Sequence, residues 1–204
     1  MKKKSGSSKR WLQEHFADTY VKQALAAGYR SRSIYKLQEL QERDKLFLPG
    51  MTVIDLGAAP GGWAQLVTKL VGKKGRVIAL DLLAFEPLPG VEFIQGDFSD
   101  DAVIAELISL LNAKNVDWVL SDMSPNMSGI DSVDQPRSME LAELALDFAL
   151  RVLGESGGFL VKVFQGEGFD PFLVALRQNF KKVIIRKPKA SRGRSREVYI
   201  LARK

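Results

Sequence analysis

Two kinds of apolar pattern alternate along the chain. Short, nearly continuous apolar runs are separated by longer stretches in which apolar residues return every three or four positions. Runs of the first kind read as strands buried on both faces, and stretches of the second kind as amphipathic helices. MTVIDLG (51–57), RVIALDLL (76–83), VEFIQGD (91–97), VDWVLSDM (116–123) and GGFLVKVF (157–164) are the expected strands. GWAQLVTKLV (62–71), DAVIAELISLL (101–111), residues 135–153 and DPFLVALRQNF (170–180) are helices between or after them. KKVIIRKP (181–188) and REVYILAR (196–203) read as two closing strands. Ahead of the first strand, WLQEHFADTYVKQALAA (11–27) and SRSIYKLQELQER (31–43) predict two helices, with Ser31 or Ser33 capping the second. Glu140, Glu143 and Asp147 lie three and four apart in the long helix and read as a solvated face.

Strands joined by helices imply a doubly wound α/β sheet. Only KPKASRGRS (187–195) separates the last two strands, so they are expected as an antiparallel pair. The expected architecture is a mostly parallel, seven-stranded sheet with an antiparallel edge strand. At 204 residues the chain suits one compact domain, placed at 11–204, behind a Lys/Ser/Gly-rich tail at 1–10 expected to be disordered.

Composition narrows the function. No apolar run is long enough to cross a bilayer, and the N-terminus lacks the apolar core of a signal peptide. The chain has no cysteine, which removes disulfides, thiolate zinc sites and thiol nucleophiles and fits a cytoplasmic location. No His-x-x-His-like pair is present, so no metal is expected. The single histidine, His15, sits among apolar neighbours and is given no role. Charge is unevenly spread. Residues 1–36 carry +7 and residues 181–204 carry +9, while 37–180 carry −10. Basic ends interleaved with Trp11, Phe16, Tyr20, Tyr29, Tyr35 and Tyr199 suggest a footprint for a nucleic acid.

In a doubly wound sheet the ligand lies beyond the carboxyl ends of the strands. There the successive strands present Asp55 with the turn Gly57–Gly62, then Asp81, Asp97, Asp122 and Lys162. A dinucleotide site wants G-x-G-x-x-G and few acids. This turn reads G-A-A-P-G-G, and Asp55 would face a pyrophosphate unfavourably. A cationic ligand without phosphates suits the rim better, and S-adenosylmethionine has that character. Asp81 stands twenty residues after Gly61, where an acid grips ribose hydroxyls. Gly61 would let the backbone approach the methionine part, Trp63 would wall the pocket, and Asp97 would accept from the adenine amine.

The acceptor is narrowed by what is absent. Pyrimidine carbon-5 methylation generally needs a cysteine nucleophile. Exocyclic-amine methylation usually shows Asn/Asp-Pro-Pro-aromatic after the fourth strand, where this chain reads SDMSPNMSG. A ribose hydroxyl remains, and it is a poor nucleophile that needs a base or an orienting group. Lys162, inside the apolar run FLVKVF, stands where such a group would act. Partial burial and Lys36 as a neighbouring cation would ready its amine for a proton. Asp122 and Glu197 would oppose that.

Together DLGAAPGGW, GDF (96–98), SDMSPNMSG (121–129), VKVFQGEGFD (161–170) and SRGRSREVYILA (191–202) resemble the FtsJ/RrmJ (RlmE) family of heat-shock methyltransferases. The resemblance spans nearly the whole chain and implies a Rossmann-like class I S-adenosylmethionine-dependent methyltransferase fold. It implies transfer to the ribose 2′-hydroxyl of a uridine in 23S RNA, within the large (50S) ribosomal subunit, by a monomeric protein. The family's Lys-Asp-Lys-Glu tetrad falls on Lys36, Asp122, Lys162 and Glu197, with Lys162 as proton acceptor. Its cofactor contacts fall on Gly61, Trp63, Asp81, Asp97 and Asp122. The competing expectations are an inactive RNA-binding assembly factor, which the intact tetrad disfavours, and a ribose methyltransferase of transfer RNA or an mRNA cap.

Overall fold

A computed structural model describes residues 18–112, 115–193 and 195–204. The expected tail at 1–10, the first part of the expected helix at 11–27, and His15, Trp11, Phe16 and Arg194 lie outside the described residues.

The chain runs α1 (Thr19–Ala26), α2 (Ile34–Asp44), β1 (Thr52–Leu56), α3 (Gly62–Val71), β2 (Arg76–Asp81), β3 (Val91–Gln95), α4 (Asp101–Leu111), β4 (Val116–Ser121), α5 (Asp131–Val152), β5 (Leu153–Phe164), α6 (Phe169–Asn179), β6 (Lys182–Arg186) and β7 (Glu197–Arg203). The seven strands form one sheet in the order β3-β2-β1-β4-β5-β7-β6. β1 to β5 pair in parallel, and β7 is antiparallel to both β5 and β6. The antiparallel pair is present as expected, but the reversed strand stands one place in from the edge. The connector after β6 folds back and lets β7 insert beside β5, leaving β6 as the edge strand.

Both faces of the sheet are covered. α4, α5 and α6 close one side through Leu107, Phe148 and Leu176. α2 and α3 close the other through Leu37, Leu40, Trp63 and Val67. Burying one such large apolar side chain contributes about 1.5–3 kcal/mol, so these two layers fix the strand faces.

Several boundaries moved for local reasons. α5 begins at Asp131, not 135: Asp131 and Asp134 favour the positive end of the helix, and Pro136, in the second turn, costs one backbone hydrogen bond without ending the helix. β5 begins at Leu153, with an irregular register between Val116 and Trp118 of its partner. Ser33 occupies the cap position of α2 without a side-chain cap bond, and its hydroxyl meets that of Ser31 at 2.6 Å instead. Glu140, Glu143 and Asp147 are exposed, as read.

β5 carries a close approach at Gly158. A Cβ there would land in the Trp118 ring from the paired strand. Gly158→Ala is expected to cost about 1–3 kcal/mol through overpacking, read as a lower urea midpoint at unchanged slope. The same substitution in a Trp118→Leu background should cost measurably less.

Candidate active site

The site is assembled at the carboxyl rim by β4, β5, β7 and α2. β5 and β7 pair with Lys162 opposite Tyr199 and Phe164 opposite Glu197. Residues two apart in a strand share a face, so Lys162, Phe164, Tyr199 and Glu197 all point to the side covered by α2. That helix supplies Lys36 from its first turn, and the residue just after β4 is Asp122.

These residues form one continuous hydrogen-bonded chain. Lys36 Nζ donates to Glu197 Oε1 at 2.6 Å and to the Tyr199 hydroxyl at 3.2 Å. Tyr199 donates to Asp122 Oδ1 at 2.9 Å. Lys162 Nζ donates to the Asp122 carbonyl at 2.6 Å and lies 3.1 Å from Asp122 Oδ1. Ser191 Oγ donates to Glu197 Oε1 at 2.8 Å. The four tetrad residues expected from the resemblance are therefore in one network. Sequence reading missed Tyr199 as its central link, because an aromatic in a buried strand reads as core. The usable signal was its place two residues after Glu197. Tyr199 is fully buried. Burial first, and then the Asp122 and Glu197 carboxylates, hold its phenol well above its ordinary range, so it stays a donor.

A cleft of about 410 Å³ opens against this network, with Arg32, Lys36, Ser124, Phe164, Arg192 and Glu197 among its walls. Arg32 donates to Asp18 and to the Ala190 carbonyl, tying the segment before α2 to the connector between β6 and β7.

The glycine turn stands beside this, between β1 and α3. Asp81 holds it, accepting from Ala59 N and Leu83 N at 2.8 Å each. The space beside Gly61 (φ 96°) is taken by Leu88, Phe85 and Arg30. Arg30 donates to the carbonyls of Pro60, Glu86 and Pro87, clamping the loop after β2 against the turn. The Trp63 ring is 2% exposed. It packs on Tyr199 with centroids 5.7 Å apart and donates to Ser33 O at 2.9 Å, supporting the turn from behind. Asp97 is exposed, with Oδ1 accepting from Ser99 N and Oγ. Those bonds, backbone first, hold its carboxyl below the usual range.

Asp55 is the exception beneath the turn. It is fully buried, and neither oxygen has a hydrogen-bond partner. Burial, then Asp122, raises its carboxyl well above the usual range, with Asp81 adding a little; the Ala64 N–H works the other way, more weakly. Asp81, Asp97 and Asp122 around the same turn fit a positively charged ligand and not a pyrophosphate.

A doubly wound seven-stranded sheet with β7 reversed, and this turn at its carboxyl rim, defines a class I methyltransferase fold. The FtsJ-like methyltransferase family model matches residues 29–204. The chain belongs to that family, whose members generally use S-adenosylmethionine. It is also similar to the crystal structure of a Plasmodium falciparum protein assigned as a ribosomal RNA methyltransferase. The TM-score is 0.78 at 29% identity, covering 86% of this chain and 98% of that one.

Asp55 makes stability depend on pH in a defined direction. Unfolded, an aspartate titrates near about pH 4, whereas folded Asp55 keeps its proton to higher pH. Its contribution is fully present below about pH 4 and is lost as pH rises toward the folded value. Asp55→Asn removes that loss. The melting-temperature advantage of the variant over wild type is expected to widen as pH rises from 4. A gap that stays constant with pH would contradict the assignment.

Proposed function

We propose that this chain transfers a methyl group from S-adenosylmethionine to the ribose 2′-hydroxyl of a uridine in large-subunit (23S) ribosomal RNA, acting on the 50S particle. The observation that carries the reading is the continuous network from Lys36 through Tyr199 and Asp122 to Lys162. Its support is family membership, together with similarity to a protein assigned as a ribosomal RNA methyltransferase.

The cofactor, when bound, supplies an electrophilic methyl on a sulfonium. Asp81, Asp97, Asp122 and the backbone of Gly61 and Trp63 are the groups that would hold it. Much of the rate comes from positioning, since the donor is already activated. Lys162, 8% exposed, faces the acceptor. It takes the 2′-hydroxyl proton or orients the oxygen lone pair as the new carbon–oxygen bond forms. Asp122 fixes Lys162, Glu197 fixes Lys36, and Tyr199 keeps the two pairs in one geometry. Arg192 and Arg196 stand where phosphates of a bound RNA would pass. A monomer suffices for this chemistry, because the tetrad comes from a single chain.

The decisive measurement is transfer of labelled methyl to large subunits from cells lacking this protein, with the modified nucleotide mapped. Label on a uridine 2′-oxygen supports the reading. Label only on transfer RNA, or no label at all, refutes it. Lys162→Ala should lose transfer by about a hundredfold or more, the scale of general acid–base contributions, while binding cofactor as wild type does. Asp81→Ala should weaken cofactor binding in calorimetry, and unchanged affinity would reject that contact.

A further inference from the structure

Beside the tetrad cleft lies a second cavity of about 300 Å³. The two share Phe164 and Ser195 as a common wall. Its other walls come from the loop after β4 and the first two turns of α5, including Met127, Gln135 and Ser138. Arg196 and Asp131 face each other across it at 3.4 Å. Met127 is 55% exposed and Ile130, a few residues on, is 58% exposed, so apolar surface is presented to solvent beside a polar pocket. Nothing in the methyl-transfer chemistry uses this cavity.

Its polar groups have fixed directions. Gln135 Oε1 accepts from Glu167 N at 3.0 Å, which orients the amide and leaves Nε2 a donor with no acceptor among the described residues. Gly166 makes this approach possible, because a Cβ there would strike the Gln135 amide. Ser138 Oγ gives its only proton to the Asp134 carbonyl at 2.8 Å and is left as an acceptor. Asp134 is in turn locked by Ser128 N, Ser128 Oγ and Gly129 N at 2.8 Å each, which holds the loop after β4 in place. Gln135 and Ser138 stand three apart on one helix face. The cavity therefore offers one set donor and one set acceptor next to an aromatic ring.

That combination matches an unstacked RNA base, which stacks on an aromatic and pairs along its Watson–Crick edge. We propose that this cavity is a base-reading pocket. It takes the base of the nucleotide whose ribose lies in the tetrad cleft, with Gln135 Nε2 donating to, and Ser138 Oγ accepting from, that edge. The inference rests on the ribose-methylation reading, since a base and its 2′-oxygen are joined through one sugar and the two cavities through one wall. Uracil and cytosine have opposite polarity at ring position 3 and at the neighbouring exocyclic group. A fixed donor beside a fixed acceptor complements one of them and leaves the other with unpaired groups.

Gln135→Glu tests this without removing the anchor. One carboxylate oxygen still accepts from Glu167 N, while the atom facing the base changes from donor to acceptor. Ser138→Ala removes only the acceptor. The measurement is kcat/KM on large subunits whose target nucleotide is uridine or cytidine. Wild type is expected to prefer one pyrimidine by about tenfold or more, the scale of a bidentate base contact. Both variants should lose most of that preference, Gln135→Glu more than Ser138→Ala, with cofactor affinity unchanged. If both variants keep the wild-type ratio, or wild type treats the two pyrimidines alike, the pocket does not read the base, while methyl transfer by wild type leaves the ribose reading standing. Failure of wild type to methylate either particle overturns the ribose reading and this inference with it.

Discussion

The pairing register of β5 with β7 is the constraint from which the site follows. Lys162 opposes Tyr199 and Phe164 opposes Glu197, so these four side chains of the candidate site share one face. A slip of one residue would turn Tyr199 and Glu197 toward the layer of α4, α5 and α6 and strand Lys36 and Asp122. Alternation along β7 prevents it. Val198, Ile200 and Ala202 fill one core and Tyr199 and Leu201 fill the other, all of them buried. Neither set fits the opposite side, because one lines a wholly apolar layer and the other must carry a phenol to Asp122. The reversed direction of β7 matters equally, since it brings Glu197, the first residue of that strand, to the carboxyl end of β5.

Burying charge beside such a register is costly unless every charge is matched. The site meets this with two lysines, two carboxylates and a phenol held neutral between them. Asp122 accepts two hydrogen bonds, from Tyr199 at its carboxylate and from Lys162 at its own carbonyl, and its carboxylate pairs with the Lys162 ammonium. Loss of any member leaves a partner uncompensated, so the network behaves as a unit and its variants should not be additive. Asp55 shows the other solution to burial. With no hydrogen-bond partner, its carboxyl is pushed well above the usual range by burial and then by Asp122, which favours the neutral form.

Much of this was legible in the sequence because burial and position are written in pattern. Apolar runs located all seven strands, and strand ends located Asp81, Asp97, Asp122 and Lys162. The membership of Lys36 and Glu197 in one tetrad came from the family resemblance, since a lysine on a helix and a glutamate at a strand start have no local signature. Tyr199 and the placement of β7 inside β6 stayed hidden, because both depend on which strands become neighbours, and spacing along the chain does not encode that. The same holds for Trp63. Its place after a glycine turn suggested a pocket wall, whereas its indole lies against Tyr199, a contact between α3 and β7. The cavity beside Phe164 was invisible for a related reason, as its walls come from α5, β5 and the connector before β7.

The charge count along the chain overstated the surface available to RNA. Many basic residues of the two ends are occupied within the protein. Arg30 and Arg32 hold backbone carbonyls, Arg186 forms a two-bond pair with Asp44, Arg203 donates to the carbonyls of Asp44 and Lys45, and Lys204 donates to Leu153 O. These contacts join α2 and the strands of the sheet edge, so the cations there stabilise the scaffold that carries Lys36. Among the described residues, the exposed cations of the C-terminal end, Lys181, Lys182, Lys187, Lys189 and Arg196, together with half-buried Arg192, lie on β6, its edges and the connector into β7, while Lys22 is exposed on α1. On the proposed function, a polyanion would be drawn to the margin of the sheet beside the connector into β7, whose Ser195 forms with Phe164 the wall shared by both cavities. Electrostatic attraction falls off within about 10 Å at moderate salt, so on the proposed function the location of these exposed cations, more than their number, would decide which part of an RNA reaches the tetrad.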